Sequence, residues 1–361
     1  MRLKKKLLSE LASKILAVFC VIALSTASLA SGRDSELWSF VFFADTRSPS
    51  EDQVHGVSHE SLDRVAHEIA NDISDPNTNC ELVLVGGDLI HGQFAQTRQS
   101  NREAYDEWKR AMKPAYDAFS AKNNSSVPIY PVRGNHETDH FTPGATETSV
   151  LEDWIDAFGK HLPQNGPPPP VHYQWIRSQK GLNYYVEHRN ALFVAVDQCL
   201  DPRENVSINQ PWVDHVLANR KEGLHVFVFG HFPAWRTAEQ VNVGPLYLRP
   251  TTRDRFWASL RNAGVRFYLA GHEHYTGVMR ISDHDQTMWQ IVSGSGGAPL
   301  VRDALAMIRG VHVTFLDNKH LGYYIGTVTG NKVTLIFKYY SERLKKWYIA
   351  ENSLIRYTVR Q

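Results

Sequence analysis

Five short polar clusters each follow a run of apolar residues, and each offers side chains able to hold a cation. Asp45-Thr46-Arg47 follows 37–44, Gly86-Gly87-Asp88 follows 80–85, and Gly134-Asn135-His136-Glu137 follows 127–132. Gly230-His231 follows 224–229, and Gly271-His272-Glu273-His274 follows 265–270. Taken together, the carboxylates of Asp45 and Asp88, the amide of Asn135 and the imidazoles of His231, His272 and His274 make a mixed oxygen and nitrogen donor set. Such a set suits iron, manganese or zinc, and not a thiolate-bound metal. Asn135 fits this chemistry because a neutral amide binds a cation without adding negative charge. Glycine ahead of a ligand lets the main chain turn sharply. Any one of these pairs is common in turns, but the ordered series at the ends of apolar runs is not.

The elements that must bring these groups together are legible as alternating periodicities. The runs at 37–44, 80–85, 127–132, 191–196, 224–229 and 265–270 are short and rich in β-branched or aromatic residues, as buried strands require. Between them, Leu62, Val65, Ala66, Ile69, Ala70 and Ile73 recur at helical spacing, as do Tyr105, Trp108, Met112, Tyr116 and Phe119. Further helices are expected near 210–221 and 253–263. Alternation of this kind predicts an α/β layered fold, in which ligands gather beyond the carboxyl ends of the strands. The segments 311–316, 323–328, 333–339 and 347–359 alternate without helical stretches, and Thr329-Gly330-Asn331 supplies a hairpin turn. They are expected to form an antiparallel ending that joins a second sheet. Ser293-Gly294-Ser295-Gly296-Gly297 lacks the Lys-Ser/Thr ending of a nucleotide-binding loop and is expected to let the main chain pass near the site. The prolines of 163–170 mark either a surface loop or a substrate-side insertion.

The chain has 361 residues, 42% hydrophobic and 21% charged, enough to bury a full core. Its 39 basic and 38 acidic residues nearly cancel, so no broad basic field points to nucleic acid. Arg2, Lys4, Lys5, Lys6 and Lys14 form a basic start ahead of the apolar run from Ile15 to Ala30, which closes on Ser28-Leu29-Ala30. That pattern reads as a secretory signal over 1–30, leaving a metal-binding domain over 31–361. Ser25, Thr26 and Ser28 leave the run short of the roughly 20 apolar residues that cross a bilayer, so no stable membrane span is expected after cleavage. Loss of five basic groups and Glu10 takes the formal charge from +1 to −3. The protein is therefore expected to be periplasmic or secreted. Cys80 and Cys199 remain, either paired in an oxidising compartment or separate in the core.

In this order the clusters resemble the calcineurin-like metallophosphoesterase family, whose pattern runs D-x-H, G-D, G-N-H-[D/E], G-H and G-H-x-H. The match covers about 45–274. The resemblance implies a two-sheet β-sandwich flanked by helices, a four-layer α/β/β/α arrangement, with two adjacent divalent or trivalent metal ions at the strand ends. Residue by residue, it implies that Asp45, Asp88 and His274 hold the first ion and that Asp88, Asn135, His231 and His272 hold the second. It also places His136 beside the phosphate as the group that protonates or stabilises the leaving oxygen, with Glu137 orienting it.

One position departs from the family. Where the first motif ends in a ligating histidine this chain has Arg47, and a guanidinium has no free lone pair to give. His91 lies three residues after Asp88, the spacing at which the purple acid phosphatase branch places a ligating tyrosine, and is a candidate to fill the gap. The alternatives are a looser site or one completed by water. Arg47, whose planar fork suits phosphate oxygens, is read together with Asn135 as facing the substrate. Two divalent ions about 3.5–4 Å apart activate water, and hydrolysis by a metal-bound hydroxide needs no nucleophilic side chain. The expected function is thus an exported metal-dependent phosphoesterase acting on small phosphomonoesters or phosphodiesters. The alternative is a catalytically impaired protein of the same fold that binds phosphate or a phosphorylated glycan.

Overall fold

Every residue of Trp38–Phe43 (β1) is buried, as a strand covered on both faces demands. It pairs in parallel with Cys80–Val85 (β2), which pairs in parallel with Ile129–Pro131 (β3). Parallel neighbours need crossovers, and helices supply them. His59–Ser74 (α1) joins β1 to β2 and buries Leu62, Val65, Ala66, Ile69 and Ile73, the stripe that the spacing predicts. Arg98–Ala111 (α2) and Lys113–Asn123 (α3) join β2 to β3. The aromatic periodicity from Tyr105 to Phe119 predicts one helix there; the chain breaks into two at Met112. Pro114 supplies the reason, since it has no N–H to give to the preceding turn.

The computed structural model describes residues 36–48, 56–92, 98–123, 128–138, 147–168, 179–199, 206–236, 245–283, 286–301 and 312–359. The expected leader over 1–30 lies outside these residues, as do 169–170 of the proline-rich stretch.

The second sheet contains Tyr184–His188 (β4), Ala191–Ala195 (β5), His225–Phe229 (β6), Phe267–Ala270 (β7), Thr276–Asp283 (β8), Gln286–Ser293 (β9) and His312–Asp317 (β10). Its strand order is β10-β8-β9-β7-β6-β5-β4, with β5, β6, β7 and β9 parallel. The remaining helices are Glu147–Trp154 (α4), Gln210–Ala218 (α5), Pro245–Leu248 (α6) and Pro250–Asn262 (α7). One helix begins at Asn209, whose side chain accepts the Trp212 amide, and carries proline in its first turn.

The carboxyl-terminal strands Gly322–Thr329 (β11), Lys332–Ser341 (β12) and Lys346–Thr358 (β13) correct one expectation. They extend the first sheet, in the order β13-β12-β11-β1-β2-β3, and only β10 joins the second. The register of β11 explains this: Trp38 to Phe42 lie opposite Val328 to Tyr324 in antiparallel pairing, so β11 closes the edge that β1 would otherwise leave open. The two sheets face each other through aromatic edges, with Phe40 set 5.0 Å from Phe193 and 4.8 Å from Phe227 between ring centroids. Helices α1 to α3 cover the outer face of one sheet, and α5 and α7 cover the other with Trp212, Phe256, Trp257 and Leu260. The architecture is the expected two-sheet α/β sandwich.

Candidate metal centre

Strands β1, β2, β3, β6 and β7 all end at one edge of the sandwich, and the loops that leave them are bonded to one another. Asp45 N–H donates to Gly87 O (3.0 Å), Thr46 and Arg47 N–H donate to Asp88 O (2.9 and 3.1 Å), and Gly271 N–H donates to His231 O (2.9 Å). Trp108 of α2 donates its indole N–H to Thr46 Oγ1 (3.0 Å), fixing the first loop from outside. Asp45, Asp88 and His272 have φ of 61°, 52° and 69°, the left-handed region that non-glycine residues avoid. Each such residue costs roughly 1–3 kcal/mol, and strain of this kind collects where a site over-determines its backbone. Close approach has the same origin: a Cβ on Gly134 would collide with Asp88 Oδ1 and lie 2.8 Å from His231 Cε1. The glycine-rich strip behaves as expected, since a Cβ on Gly294 would lie 2.9 Å from Asp45 Oδ2.

Two groups of ligand atoms share Asp88, and within each the atoms lie within 4.8 Å of one another: Asp88, His231 and His272, and Asp45, Asp88 and His274. In the first of these, Asn135 Oδ1 lies 3.1 Å from His231 Nε2 and 3.0 Å from His272 Nδ1. His231 Nε2 is 3.3 Å from Asp88 Oδ1 and 3.2 Å from His272 Nδ1. His231 Nδ1 donates to the Gly86 carbonyl (2.8 Å), which leaves the Nε2 lone pair facing a carboxylate and an amide oxygen. Burial and the Arg47 charge hold the His231 imidazole down to about 3, so it stays neutral. The carboxylate, amide oxygen and imidazole nitrogens gathered here are the donor types of Fe, Mn or Zn. The residues therefore fit a divalent ion.

The other half is different. Asp45 Oδ2 accepts the His272 N–H (2.8 Å), while Oδ1 is buried without a hydrogen bond and lies 3.7 Å from His274 Nε2. Burial and Asp88 push the Asp45 carboxyl up, and Arg47 opposes them. His274 Nδ1 donates to Pro299 O (3.1 Å), and its Nε2 faces Arg47 Nη2 at 3.4 Å. Arg47 Nε lies 3.7 Å from Asp88 Oδ2.

The residues expected at the site mostly converge, with two corrections. His91 belongs to neither ligand group: its N–H donates to Gly56 O (2.8 Å) and its ring packs on His136, with centroids 4.6 Å apart. Glu137 does not orient His136. Its two oxygens accept the N–H groups of Asp88 (2.9 Å), Leu89 (2.6 Å), Ile90 (3.2 Å) and Gly134 (2.5 Å), so it ties the loop after β2 to the loop after β3. His136 donates its N–H to Asp88 Oδ1 (3.1 Å), and burial with the Arg47 charge holds its imidazole far below the usual range.

Sequence reasoning missed the buried pair of Arg133 Nε and Asp197 Oδ2 (2.7 Å), which fastens the Asn135 loop to the end of β5. The signal was present as a charge directly after each apolar run, in Val132-Arg133 and Val196-Asp197. Cys80 and Cys199 are separate buried thiols, which settles the alternative left open for them.

The sequence pattern described as Calcineurin-like phosphoesterase matches residues 39–276. No curated protein matches the chain in sequence. Among solved structures, the purple acid phosphatase PPD1 of yellow lupin (Lupinus luteus) seeds is similar with a TM-score of 0.60 at 17% identity, over 90% of this chain and 54% of that one. The chain thus spans little more than half the length of the lupin phosphatase. PhoD gives 0.56 at 14% identity, over 90% of this chain and 72% of that one. GAP50, the anchor in the inner membrane complex of Plasmodium, gives 0.53 at 15% identity, over 90% and 88%. These likenesses show a common fold.

Proposed function

Because the chain belongs to the calcineurin-like phosphoesterase family, we propose that it is a metal-dependent phosphoesterase that hydrolyses small phosphomonoesters or phosphodiesters after export from the cytoplasm. GAP50 carries the fold as an anchor, so the fold by itself does not select hydrolysis. The observation that supports hydrolysis is the cluster of acceptors around Asp88. Asp88, Asn135, His231 and His272 would hold the ion. When bound, it supplies Lewis acidity toward phosphoryl oxygen and lowers the pKa of water.

The remaining groups position and protonate. His136 hangs beside Asp88 with its side chain 12% exposed, close enough to the opening to give a hydrogen bond to a leaving oxygen. Burial first, and the Arg47 charge after it, keep its imidazole neutral in the free site, so it gives its N–H as a neutral hydrogen-bond donor. Arg47 is 15% exposed, and a guanidinium there can meet a phosphate oxygen. Glu137 keeps the two ligand loops at fixed separation, and Glu273, which accepts the Tyr275 hydroxyl, anchors the loop between His272 and His274.

Export rests on the basic and apolar start over 1–30. Among the described residues no helix is long and apolar enough to cross a membrane. Amino-terminal sequencing of the protein from a periplasmic or medium fraction should begin near residue 31; an intact start would overturn export. Hydrolysis of nitrophenyl phosphate or its bis-ester should vanish on chelation, return with Mn2+, Zn2+ or iron, and be lost in Asp88→Ala. Tight phosphate binding without turnover at any metal loading would decide for the phosphate-binding alternative.

A further inference from the structure

We propose that the guanidinium of Arg47 takes the place of the first cation, so that this chain carries a single metal ion, on Asp88, Asn135, His231 and His272. The inference rests on the metal reading above and adds to it what fills the other half of the centre. Arg47 reaches two of the three atoms a first ion would need, with Nη2 3.4 Å from His274 Nε2 and Nε 3.7 Å from Asp88 Oδ2. Those are the lone pairs that ligation consumes, and a guanidinium is always protonated and only donates.

The main chain of Arg47 is held in place. Arg47 N–H donates to Asp88 O (3.1 Å), its carbonyl accepts the Ser58 hydroxyl (3.0 Å), and its backbone forms an antiparallel bridge with Val57. Nη1 donates to Ser48 O (3.1 Å), which directs the fork inward. The contacts of its fork go to His274, Asp88 and Ser48, leaving Asn135, His231 and His272 to face one another.

Charge agrees with this division. Asp45 and Asp88 bring two negative charges to the centre, and Arg47 neutralises one of them permanently. A second divalent ion would sit against a fixed positive group.

The test is a count. The full chain, stripped with chelator, loaded with Mn2+ and desalted, should retain about one ion per chain by plasma mass spectrometry. Its electron paramagnetic resonance spectrum should be that of an isolated Mn2+. Arg47→His should retain about two, with a spectrum broadened by coupling between neighbouring ions, and Arg47→Lys should stay at about one. Asp45→Asn in the otherwise natural chain should leave the count unchanged, a readout that does not depend on how the Arg47 variants fold. About two coupled ions in the natural chain, or a count that Asp45→Asn lowers, overturns the proposal while leaving metal binding intact. Absence of bound Mn2+ from the natural chain and from Arg47→His alike overturns the metal reading itself, and this proposal with it.

Discussion

The two halves of the centre share Asp88 and differ in everything else. In one, an amide oxygen and two imidazole nitrogens stand 3.0–3.2 Å apart. In the other, Asp45 and His274 are 3.7 Å apart and a guanidinium lies against His274 and Asp88. The first arrangement asks for a cation; the second has one built from the chain. A lost ligand therefore need not collapse a binuclear site when its replacement brings the charge that the missing ion supplied.

Asp88→Ala cuts the element common to both halves and should have the largest effect. Metal retention should disappear and hydrolysis should fall by at least about a thousandfold, since a bound ion supplies several kcal/mol to the transition state. Residual turnover within tenfold of the natural chain would contradict the shared role. Glu137→Ala leaves every ligand in place but strips four buried N–H groups of their acceptor. It should lower stability by about 2–4 kcal/mol in denaturant and metal affinity by about 10–100-fold; a change confined to kcat with unaltered affinity would return Glu137 to the role of orienting His136.

The pH response sharpens the contrast by acting on imidazoles in both halves. Burial, with Arg47, holds His91 down to about 4 and His231 and His274 to about 3. The unfolded chain takes up these protons near pH 6.5 while the folded chain does not, so the unfolded state binds more protons and stability falls as pH drops from about 6.5 toward 3. Melting of the metal-free protein at pH 6.5, 5.5 and 5 should show a progressive loss, because the lowered imidazoles outnumber Asp45 and Glu137, whose carboxyls burial pushes up and which act in the opposite sense, and Arg47→Met should shallow it. A flat profile would mean that the folded site accepts protons freely. The smallest effect belongs to the thiols: reductant should leave the melting temperature unchanged, because Cys80 and Cys199 are unpaired with each other and burial pushes both thiols up.

Much of this was legible along the chain because the chemistry sits directly after apolar runs, where a strand must end. Asp45, Asp88, Asn135, His231, His272 and His274 are local features of that kind, and the structure brings them together. What depends on distant pairing was not legible. Strand β4 is only partly buried and reads as mixed polarity, and β8 and β9 were not identified. Whether β11 to β13 lie beside β1 or in the other sheet is decided by an open edge that only the folded sheet presents. The position of Arg47 depends on a bridge to Val57, and the role of Glu137 on main-chain donors some 50 residues away, so neither spacing nor residue type discloses them. His59 Nε2 lies 3.0 Å from Glu107 Oε1 of α2.

Anomalous diffraction at the manganese edge, from crystals of the natural chain grown with Mn2+, reads the two halves separately. The account predicts one strong peak bounded by Asp88, Asn135, His231 and His272, no peak between Asp45 and His274, and the Arg47 side chain against His274 and Asp88. An anomalous map without a peak among the four donors would contradict it.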